Sequence, residues 1–450
     1  MTEIKVNLAA RGERIKPMNA VNNGPTSPGV RDTYSSYNAY KAAHIPYARN
    51  HDASFFTGYG GEHTVDVHRI FKNFDADEND PASYIFEPTD DYMNRIASVG
   101  TKIFYRLGAS IEHEYKYGTR VPKDFAKWAR ICEHIIRHYN EGWANGFELG
   151  IEYWEIWNEP DCRNPDGSNP CWQGTDDEFV EFYSVVSNYL KDKFPSLKIG
   201  GPAFCNPWVS GDADIKSKLL NAVKDGRAHM DFYSYHWYGK KIEDIVATYR
   251  EGRRQLDIRG LTEIPSILNE YNYIRGWRGD DWKYSTRTER NLKGSAFISG
   301  IMCAGQHEPI DMLMYYDARP STVMNGMFAF ETYECLKGYY SFVMFDALAS
   351  LGTHLPTEYA VNDIYNCAAT DGKDYALILS HYNDNDETEA KEVKVSFDGG
   401  EGDYKVSYFI LDSEHNLSLF REETVTGKSF ETYLTMPLFT SVLVKLEKLD

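Results

Sequence analysis

Short apolar runs alternate with longer amphipathic runs between residues 14 and 350 of the chain. The longer runs repeat apolar residues three and four positions apart, as helices that bury one face do. This alternation is typical of repeated β-α units that build a parallel sheet. In residues 122–139 the repeating positions are Phe125, Trp128, Ala129, Cys132, Ile135, Ile136 and Tyr139.

Eight of the apolar runs are candidate strands, at residues 15–20, 44–49, 102–107, 153–158, 197–201, 231–237, 266–269 and 312–316. Helices are predicted between them, among others at residues 122–139, 176–194, 242–256, 289–303 and 334–350. Eight strands alternating with helices favour a (β/α)8 TIM barrel over an open sheet. No Gly-x-Gly-x-x-Gly fingerprint of a dinucleotide site follows the first strand.

The pattern changes beyond residue 356 to short alternating strands separated by Asn, Asp and Gly turns. These strands are predicted at residues 375–380, 392–397, 404–411, 431–434 and 441–446. We therefore expect a barrel domain over residues 1–355 and an antiparallel β-sandwich over residues 356–450 that covers one side of the barrel. The pattern leaves open whether the first 12 or so residues pack with the sandwich.

Charge and hydropathy narrow the choice of partners. The chain has 48 basic and 67 acidic residues, a formal net charge of −19, which disfavours nucleic acid because phosphate binding needs clustered Lys and Arg. No run of about 20 apolar residues could span a bilayer, and residues 1–6 lack the apolar core of a secretory signal. We expect no membrane partner and a cytoplasmic protein, with earlier removal of a signal peptide and homo-oligomer formation left open.

Seven cysteines, at positions 132, 162, 171, 205, 303, 335 and 367, are scattered without metal-type spacing. An odd, scattered set favours reduced thiols. Cys162 and Cys171 are close enough in sequence to close a short loop, and a disulfide there would instead indicate export.

Two of the predicted strands end on a glutamate. Residues 153–160 read YWEIWNEP and carry Glu159, whereas residues 265–272 read PSILNEYN and carry Glu270. The chemistry of a TIM barrel lies at the C-terminal ends of its strands, so these two carboxyl groups should meet at one rim. Cleavage of a glycosidic bond needs one carboxyl group to protonate the leaving oxygen and a second to attack or to activate water.

The two glutamates need different protonation states for that chemistry. Aromatic neighbours should desolvate Glu159 and raise its pKa, which suits a general acid. Glu270 should stay ionised, helped by hydrogen bonds from groups such as a tyrosine hydroxyl. Either glutamate alone would be interpreted as an ordinary carboxylate at the barrel rim. The presence of both Glu159 and Glu270 is what favours a catalytic role.

The motifs WEIWNEP at residues 154–160 and ILNEYN at 267–272 resemble the acid/base and nucleophile signatures of the clan A retaining glycoside hydrolases. The chain is most similar to family 39, which contains β-xylosidases and α-L-iduronidases. The segments VNNGP at 21–25, RNHD at 49–52 and YHWY at 235–238 support this resemblance. It implies Glu159 as acid/base, Glu270 as nucleophile and Asn158 as the residue that binds the sugar 2-hydroxyl.

Strand eight departs from the family pattern, because YYDARP at residues 315–320 stands where clan members often place a tryptophan. The candidate substrate-binding residues are Asn158, His51, Asp52, His236, Tyr238, Trp172, Trp277, Tyr316 and Arg319. His236 and Tyr238 should point to the same side of strand six as Ser234. Arg319 fits either a substrate carboxylate or a structural salt bridge. The loop tryptophans at 172 and 277, in segments 161–174 and 273–288, fit either sugar stacking or loop packing.

His51 and Asp52 also resemble a metal-binding pair, but strand one lacks the His-x-His that an amidohydrolase-type barrel would carry. We therefore expect no metal and no organic cofactor. The predicted function is a retaining exo-glycosidase, and the family resemblance implies a plant-type oligosaccharide with xylose or arabinose as its substrate. The alternatives are an endo-acting glycosidase on a longer polysaccharide and a non-catalytic sugar-binding barrel.

Overall fold

The computed structural model describes residues 1–28, 34–51, 63–111, 118–320 and 322–449. In it eight parallel strands close into a barrel, so the predicted TIM-barrel fold is confirmed. The first strand of the chain, β1 (Thr2–Asn7), lies outside this barrel. The barrel strands, in order of closure, are β2 (Ala20–Asn22), β3 (Tyr47–Arg49), β4 (Lys102–Leu107), β5 (Tyr153–Ile156), β6 (Lys198–Phe204), β7 (Tyr233–Gly239), β8 (Ser266–Tyr273) and β9 (Met312–Tyr315).

Helices surround the barrel. In chain order they are α1 (Tyr37–Ala42), α2 (Val67–Ile70), α3 (Glu87–Ser98), α4 (Phe125–Glu141), α5 (Asp176–Lys193), α6 (Ile215–Lys224), α7 (Ile242–Asp257), α8 (Gly279–Glu289), α9 (Leu292–His307) and α10 (Lys337–Leu351), with a 3-10 turn at Pro81–Ser83. Their ends follow ordinary capping chemistry. Helix α5, for example, begins with a capping box in which Thr175 and Glu178 satisfy each other's backbone N–H groups.

The sequence pattern did not predict the sandwich strands Ile364–Thr370 and Asn416–Thr426, and the structure also changes two predicted segments of the barrel domain. The first barrel strand is Ala20–Asn22 rather than 15–20, because the apolar run before it pairs with the other end of the domain: Ile15 N–H donates to the Gly352 carbonyl. Segment 273–288, expected to be a loop, contains helix α8. Both differences arise from packing partners that are far away in the sequence.

A β-sandwich follows the barrel, as predicted. Its strands are β10 (Thr353–Leu355), β11 (Ala360–Val361), β12 (Ile364–Thr370), β13 (Tyr375–His381), β14 (Lys391–Asp398), β15 (Asp403–Leu411), β16 (Asn416–Thr426), β17 (Ser429–Met436) and β18 (Ser441–Lys448). One sheet has the order β1-β14-β17, and β1 pairs with β14 in parallel. The other has the order β10-β12-β13-β18-β15-β16, with β11 beside β12. The sandwich thus includes β1 and β10, which precede residue 356.

One hydrophobic core runs from the barrel helices into the sandwich. Helices α9 and α10 pack against β12 and β13. Phe297 and Phe342 on the helices share a single buried cluster with Ile378 and Tyr382 on the sheet side. The sandwich therefore completes the burial of two barrel helices.

Inside the barrel, an apolar layer fills the lower half. Its buried residues are Ala20, Phe104, Phe232, Ile267, Met312 and Met314. Polar and charged side chains of the same strands lie above this layer, toward the C-terminal ends of the strands. Among the described residues, none of the helices has the length and hydropathy that crossing a lipid bilayer requires.

Candidate active site

The chain turns sharply where β5 ends. Trp157 and Glu159 both adopt positive φ values, 77° and 47°, which bulky residues reach only when their surroundings enforce them. Trp157 N–H donates to the Leu107 carbonyl at 2.7 Å, and Glu159 N–H donates to the Ala203 carbonyl at 2.9 Å. These anchors on the two neighbouring strands hold the Glu159 side chain, 19% exposed, at the rim.

Strand β8 carries an irregularity at the second glutamate. Its pairing shifts register against both neighbours, so that Leu268 pairs with Tyr235 and Glu270 pairs with His236. Asn269 is thereby an extra residue, as in a β-bulge. In a regular strand Asn269 and Glu270 would point to opposite faces, but here both side chains bond to groups inside the barrel.

His236 lies between the two carboxyl groups. Its Nδ1 is 2.8 Å from Glu159 Oε1 and 3.4 Å from Glu270 Oε2. An oxygen of Glu159 and an oxygen of Glu270 lie within 4.8 Å of each other. Glu159 and Glu270, which are 111 residues apart in the sequence, therefore lie next to each other in the folded chain.

Burial shifts the pKa values of Glu159 and His236 away from their ordinary values. It raises the pKa of Glu159 to about 8, with nearby Cys162 and Asp161 adding to the shift. Burial likewise lowers the pKa of His236 to about 4, against the opposing charge of Glu270. At neutral pH Glu159 is therefore mostly protonated and His236 is mostly a neutral imidazole.

Glu270 has two close donors. Arg49 Nη1 donates to its Oε1 at 2.7 Å, and the Tyr238 hydroxyl donates to its Oε2 at 2.6 Å. Burial raises the pKa of Glu270, whereas His236, Arg49 and the Tyr238 hydroxyl act in the opposite direction. A cation and a hydroxyl aimed at one carboxylate are the arrangement that stabilises its charged form.

Arg49 lies beneath the two carboxyl groups and connects the side chains there. The sequence pattern did not identify it as a functional residue. It is fully buried, and besides Glu270 it donates to Glu155 Oε2 at 2.7 Å, to Asn158 Oδ1 at 2.7 Å and to Asn22 Oδ1 at 3.1 Å. A sequence signal for it exists, because Arg49 and Glu155 are opposite charges inside two predicted buried strands, where each needs a partner.

Glu155 is a second buried residue that bonds to several strands beneath the two carboxyl groups. The sequence pattern did not identify it either. Its Oε1 accepts from the Ser234 hydroxyl at 2.6 Å and from the Asn269 amide at 2.5 Å. Gly201 lets β6 pass close to it, since a side-chain carbon there would lie 3.2 Å from Glu155 Cγ. Five strands are thus tied together beneath the two candidate catalytic carboxyl groups.

Four predicted binding residues, Asn158, His51, His236 and Tyr238, lie around the two carboxyl groups. Asn158 uses its carbonyl oxygen for Arg49, which leaves its amide NH2 as the group that can donate to a sugar. His51 is buried, with Nε2 3.6 Å from Glu270 Oε1. Ser234, His236 and Tyr238 all point into the site, in agreement with the alternation of the strand.

Aromatic rings form one wall above Glu270. Tyr316 meets His51 edge-on with ring centres 6.2 Å apart and lies 6.3 Å from Tyr238. Trp277 contacts Tyr238 edge-on at 5.1 Å and is 56% exposed, so it lies at the outer rim.

Among the described residues that were predicted to bind substrate, Trp172 is not brought to the site. Trp172 is fully buried and packs against Trp157, Phe179 and Phe182, with its indole N–H bonded to the Thr175 carbonyl. Its role is in the core, and the stacking alternative does not fit. Arg319 lies 3.6 Å from Asp317, which favours the salt-bridge alternative. Asp52 lies outside the described residues.

Three clusters in the described part of the chain have metal-type ligand atoms within 4.8 Å of one another: Glu159, His236 and Glu270; Glu159, Cys162 and Cys205; and His307, His354 and Cys367. The seven cysteines are free thiols, including Cys162 and Cys171.

Comparison with known proteins agrees with the predicted family resemblance. The model of glycosyl hydrolases family 39 matches residues 58–261. A beta-xylosidase of Geobacillus stearothermophilus is 25% identical over 177 residues, which are 35% of this chain and 33% of that protein. An alpha-1,4-L-rhamnosidase of Formosa agariphila is 20% identical over 190 residues, 40% of this chain and 36% of that protein. The aligned regions thus span about a third of the length of each curated relative.

Solved structures support the fold over the whole chain. A glucosidase from Croceicoccus marinus superimposes with a TM-score of 0.79 at 19% identity, covering 100% of both chains. A monomeric beta-xylosidase from Caulobacter crescentus CB15 gives a TM-score of 0.72 at 16% identity, again covering 100% of both chains. The predicted similarity to family 39 is confirmed.

Proposed function

We propose, from the confirmed similarity to glycoside hydrolase family 39 and from the paired carboxyl groups, that this chain is a retaining glycoside hydrolase. The observation that carries the proposal is the approach of Glu159 and Glu270, whose carboxylate oxygens come within 4.8 Å. Retaining enzymes separate their two carboxyl groups by about 5–5.5 Å, and inverting enzymes by about 6.5–9.5 Å to admit a water. The observed approach supports double displacement.

In the first step Glu159 acts as the general acid. Its raised pKa, about 8, keeps it protonated at neutral pH, so it can give its proton to the leaving glycosidic oxygen. Glu270 attacks the anomeric carbon as the bond to that oxygen breaks, and a covalent glycosyl ester forms. Arg49 and Tyr238 hold the two oxygens of Glu270, which orients the carboxylate for this attack.

In the second step the roles of Glu159 reverse. The Glu159 carboxylate takes a proton from a water molecule, whose oxygen attacks the anomeric carbon and releases Glu270. Neutral His236, at 2.8 Å from Glu159 Oε1, keeps the carboxyl group oriented in both steps. Two inversions at the anomeric carbon give net retention.

The substrate class we propose is a plant-type oligosaccharide with a terminal xylose or arabinose, cleaved by β-xylosidase-like or α-L-arabinosidase-like action. The names of the similar proteins indicate different sugars, because one is a xylosidase, one a rhamnosidase and one a glucosidase. The salt bridge of Arg319 with Asp317 supports a neutral sugar over one with a carboxylate. Product analysis on xylo-oligosaccharides distinguishes exo from endo action, since exo action releases only the terminal sugar at early times.

Nucleophile rescue tests the proposal. The native protein is first assayed on a panel of aryl glycosides, and Glu270→Ala is then assayed on the best substrate with and without sodium azide. We expect loss of turnover in Glu270→Ala and partial recovery with azide, with a glycosyl azide of inverted configuration as the product. Glu263→Ala, an exposed glutamate just before the same strand, serves as the control and should retain activity. Full activity of Glu270→Ala would show that the nucleophile is another residue, and a barrel that binds sugars without turnover on the panel would favour the non-catalytic alternative.

A further inference from the structure

Three thiols lie beside the proposed acid/base residue. Cys162 and Cys171 belong to the loop between β5 and α5, and Cys205 directly follows β6. The Cys171 sulfur is 4.0 Å from Glu159 Oε2. The sulfur atoms of Cys162 and Cys205 and one oxygen of Glu159 lie within 4.8 Å of one another. Nothing in the glycosidase mechanism requires a thiol at these positions.

The arrangement of these groups is what suits a metal ion. Cys171 is buried, and Cys162 and Cys205 are partly buried. Their sulfur atoms lie around the Glu159 carboxyl group, which brings soft sulfur donors and one oxygen donor into a small space. Such a donor set is the one that thiophilic divalent cations prefer.

We propose that Cys162, Cys171, Cys205 and Glu159 form a binding site for a thiophilic divalent cation such as Zn2+. Three sulfurs and one carboxylate oxygen match the four-coordinate, tetrahedral preference of Zn2+. Zinc–sulfur bonds of about 2.3 Å place neighbouring ligand atoms about 3.8 Å apart. The ligand atoms of Cys162, Cys205 and Glu159 already lie within 4.8 Å of one another, and the Cys171 sulfur lies 4.0 Å from Glu159 Oε2. Binding displaces the thiol protons to solvent.

The surrounding charges allow a cation here. Asp161 accepts from the Cys205 N–H at 2.9 Å, and its other oxygen binds Lys216 at 3.0 Å, so this lysine is already engaged. Arg163 points to Asp176 at 2.6 Å. Neither cation therefore occupies the thiol cluster, and a bound metal would gain the negative charge of Glu159 when that carboxyl group ionises.

A second cluster competes for the same ion and is the natural control. His307 and His354 face each other through their Nε2 atoms at 3.3 Å, next to Cys367. Burial lowers the pKa of both histidines, and the nearby Lys16 ammonium lowers it further. The positive charge of Lys16 disfavours a second cation at this cluster. We therefore assign the stronger site to the thiols beside Glu159.

A consequence for activity follows, and it rests on the proposed function. A cation bound to Glu159 removes both the acid and the base of the reaction, because a metal-bound carboxylate can neither carry the proton nor accept it. Zn2+ should therefore inhibit reversibly, with a chelator restoring the rate.

Cobalt binding tests the site without reference to activity. Reduced, metal-free protein is titrated with Co2+, and thiolate-to-cobalt charge transfer is followed by absorption. We expect a band that saturates at one equivalent. Cys162→Ser should weaken binding by at least about tenfold, the smaller loss seen when even an outer partner of a metal ligand is removed. Cys335→Ser, which alters a partly buried thiol outside the cluster, and His354→Gln should bind Co2+ as the wild type does.

Several results would overturn the inference. A titration without a charge-transfer band would do so, as would a band lost in His354→Gln but kept in Cys162→Ser. Inhibition that requires an oxidant and consumes two titratable thiols would assign the cluster to a disulfide instead. Zn2+ inhibition is measured relative to the metal-free rate of each variant and should be weaker in Cys162→Ser. If no glycoside is turned over while the cobalt band appears as expected, the proposed function fails and the metal site stands.

Discussion

Glu159 and Glu270 are chemically identical side chains that their surroundings make different. Burial raises the pKa of Glu159 to about 8, and nearby Cys162 and Asp161 add to the shift. Burial also raises the pKa of Glu270, but hydrogen bonds from Arg49 and Tyr238 oppose that rise and favour the charged form. Different partners at two carboxyl groups are what the proposed acid and the proposed nucleophile require.

The raised pKa of Glu159 predicts the alkaline limb of the pH profile. Because the protonated carboxyl group is the proposed acid, kcat/KM should fall as pH rises through about 8 for substrates with poor leaving groups. In Glu159→Gln this limb should disappear. The variant should lose roughly 10²–10⁴-fold in rate on poor leaving groups and much less on activated aryl glycosides. An unchanged alkaline limb in Glu159→Gln would assign the titration to another group.

We predict that replacing Arg49 has a large effect on the stability of the fold. Arg49→Met would leave Glu155 and Glu270 without their buried cation, and breaking a buried pair from one side costs about 3–5 kcal/mol. We expect a loss of that size in the free energy of unfolding, measured by urea denaturation. Arg95→Met, which removes an exposed pair with Asp91, is the control and should cost at most about 1 kcal/mol. Equal losses in the two variants would contradict the role of Arg49 as a buried hub.

At the scale of elements, the tryptophans of the segments that follow β5 and β8 lie in different environments. Trp172 fills the core behind β5, whereas Trp277 is 56% exposed and contacts Tyr238. In the sequence both lie shortly after a strand that ends on a candidate catalytic glutamate. Packing against α5 decides the first case, and the presence of helix α8 shapes the second.

This difference can be measured with two matched substitutions. Trp172→Ala should lower the free energy of unfolding by about 3–5 kcal/mol, as core tryptophans do. Trp277→Ala should change stability by no more than about 0.5 kcal/mol and raise KM by roughly 3–10-fold, the size of one aromatic contact. A large KM effect confined to Trp172→Ala, with stability intact, would reverse the assignment.

At the scale of the whole molecule, the sandwich supports the strand that carries the proposed nucleophile. Tyr273 at the end of β8 donates to Asp384 Oδ1 at 2.7 Å, and Lys293 on α9 binds the same carboxylate at 3.0 Å. Asp384 lies in the turn after β13. Together with the shared hydrophobic core, these bonds make the two domains one structural unit.

We therefore predict a single calorimetric unfolding transition for the full chain. Asp384→Ala should lower the free energy of unfolding by about 1.5–3 kcal/mol, because it removes hydrogen bonds to a charged group at the domain junction. Glu389→Ala, at an exposed position in the same turn, should be neutral. Two well-separated transitions in the native chain would contradict the coupling.

The sequence by itself determined the architecture and placed one glutamate at the end of each of two barrel strands. Period-two and three-to-four repeats follow directly from strand and helix geometry, so the barrel, the sandwich and the positions of Glu159 and Glu270 could be predicted from local pattern and motif. The segment boundaries were less accurate, because the partners of residues 15–20 and of α8 lie far along the chain.

Only the tertiary structure decided how the site is held. The register shift at Asn269, the left-handed turn at Glu159 and the four bonds of Arg49 all depend on neighbours from other strands. Neighbours from other elements also decide that Trp172 is buried in the core and that Cys162, Cys171 and Cys205 lie close together. Local periodicity encodes which face a residue occupies, whereas burial, pKa and contact distances arise from groups hundreds of residues apart that come together only in the closed barrel.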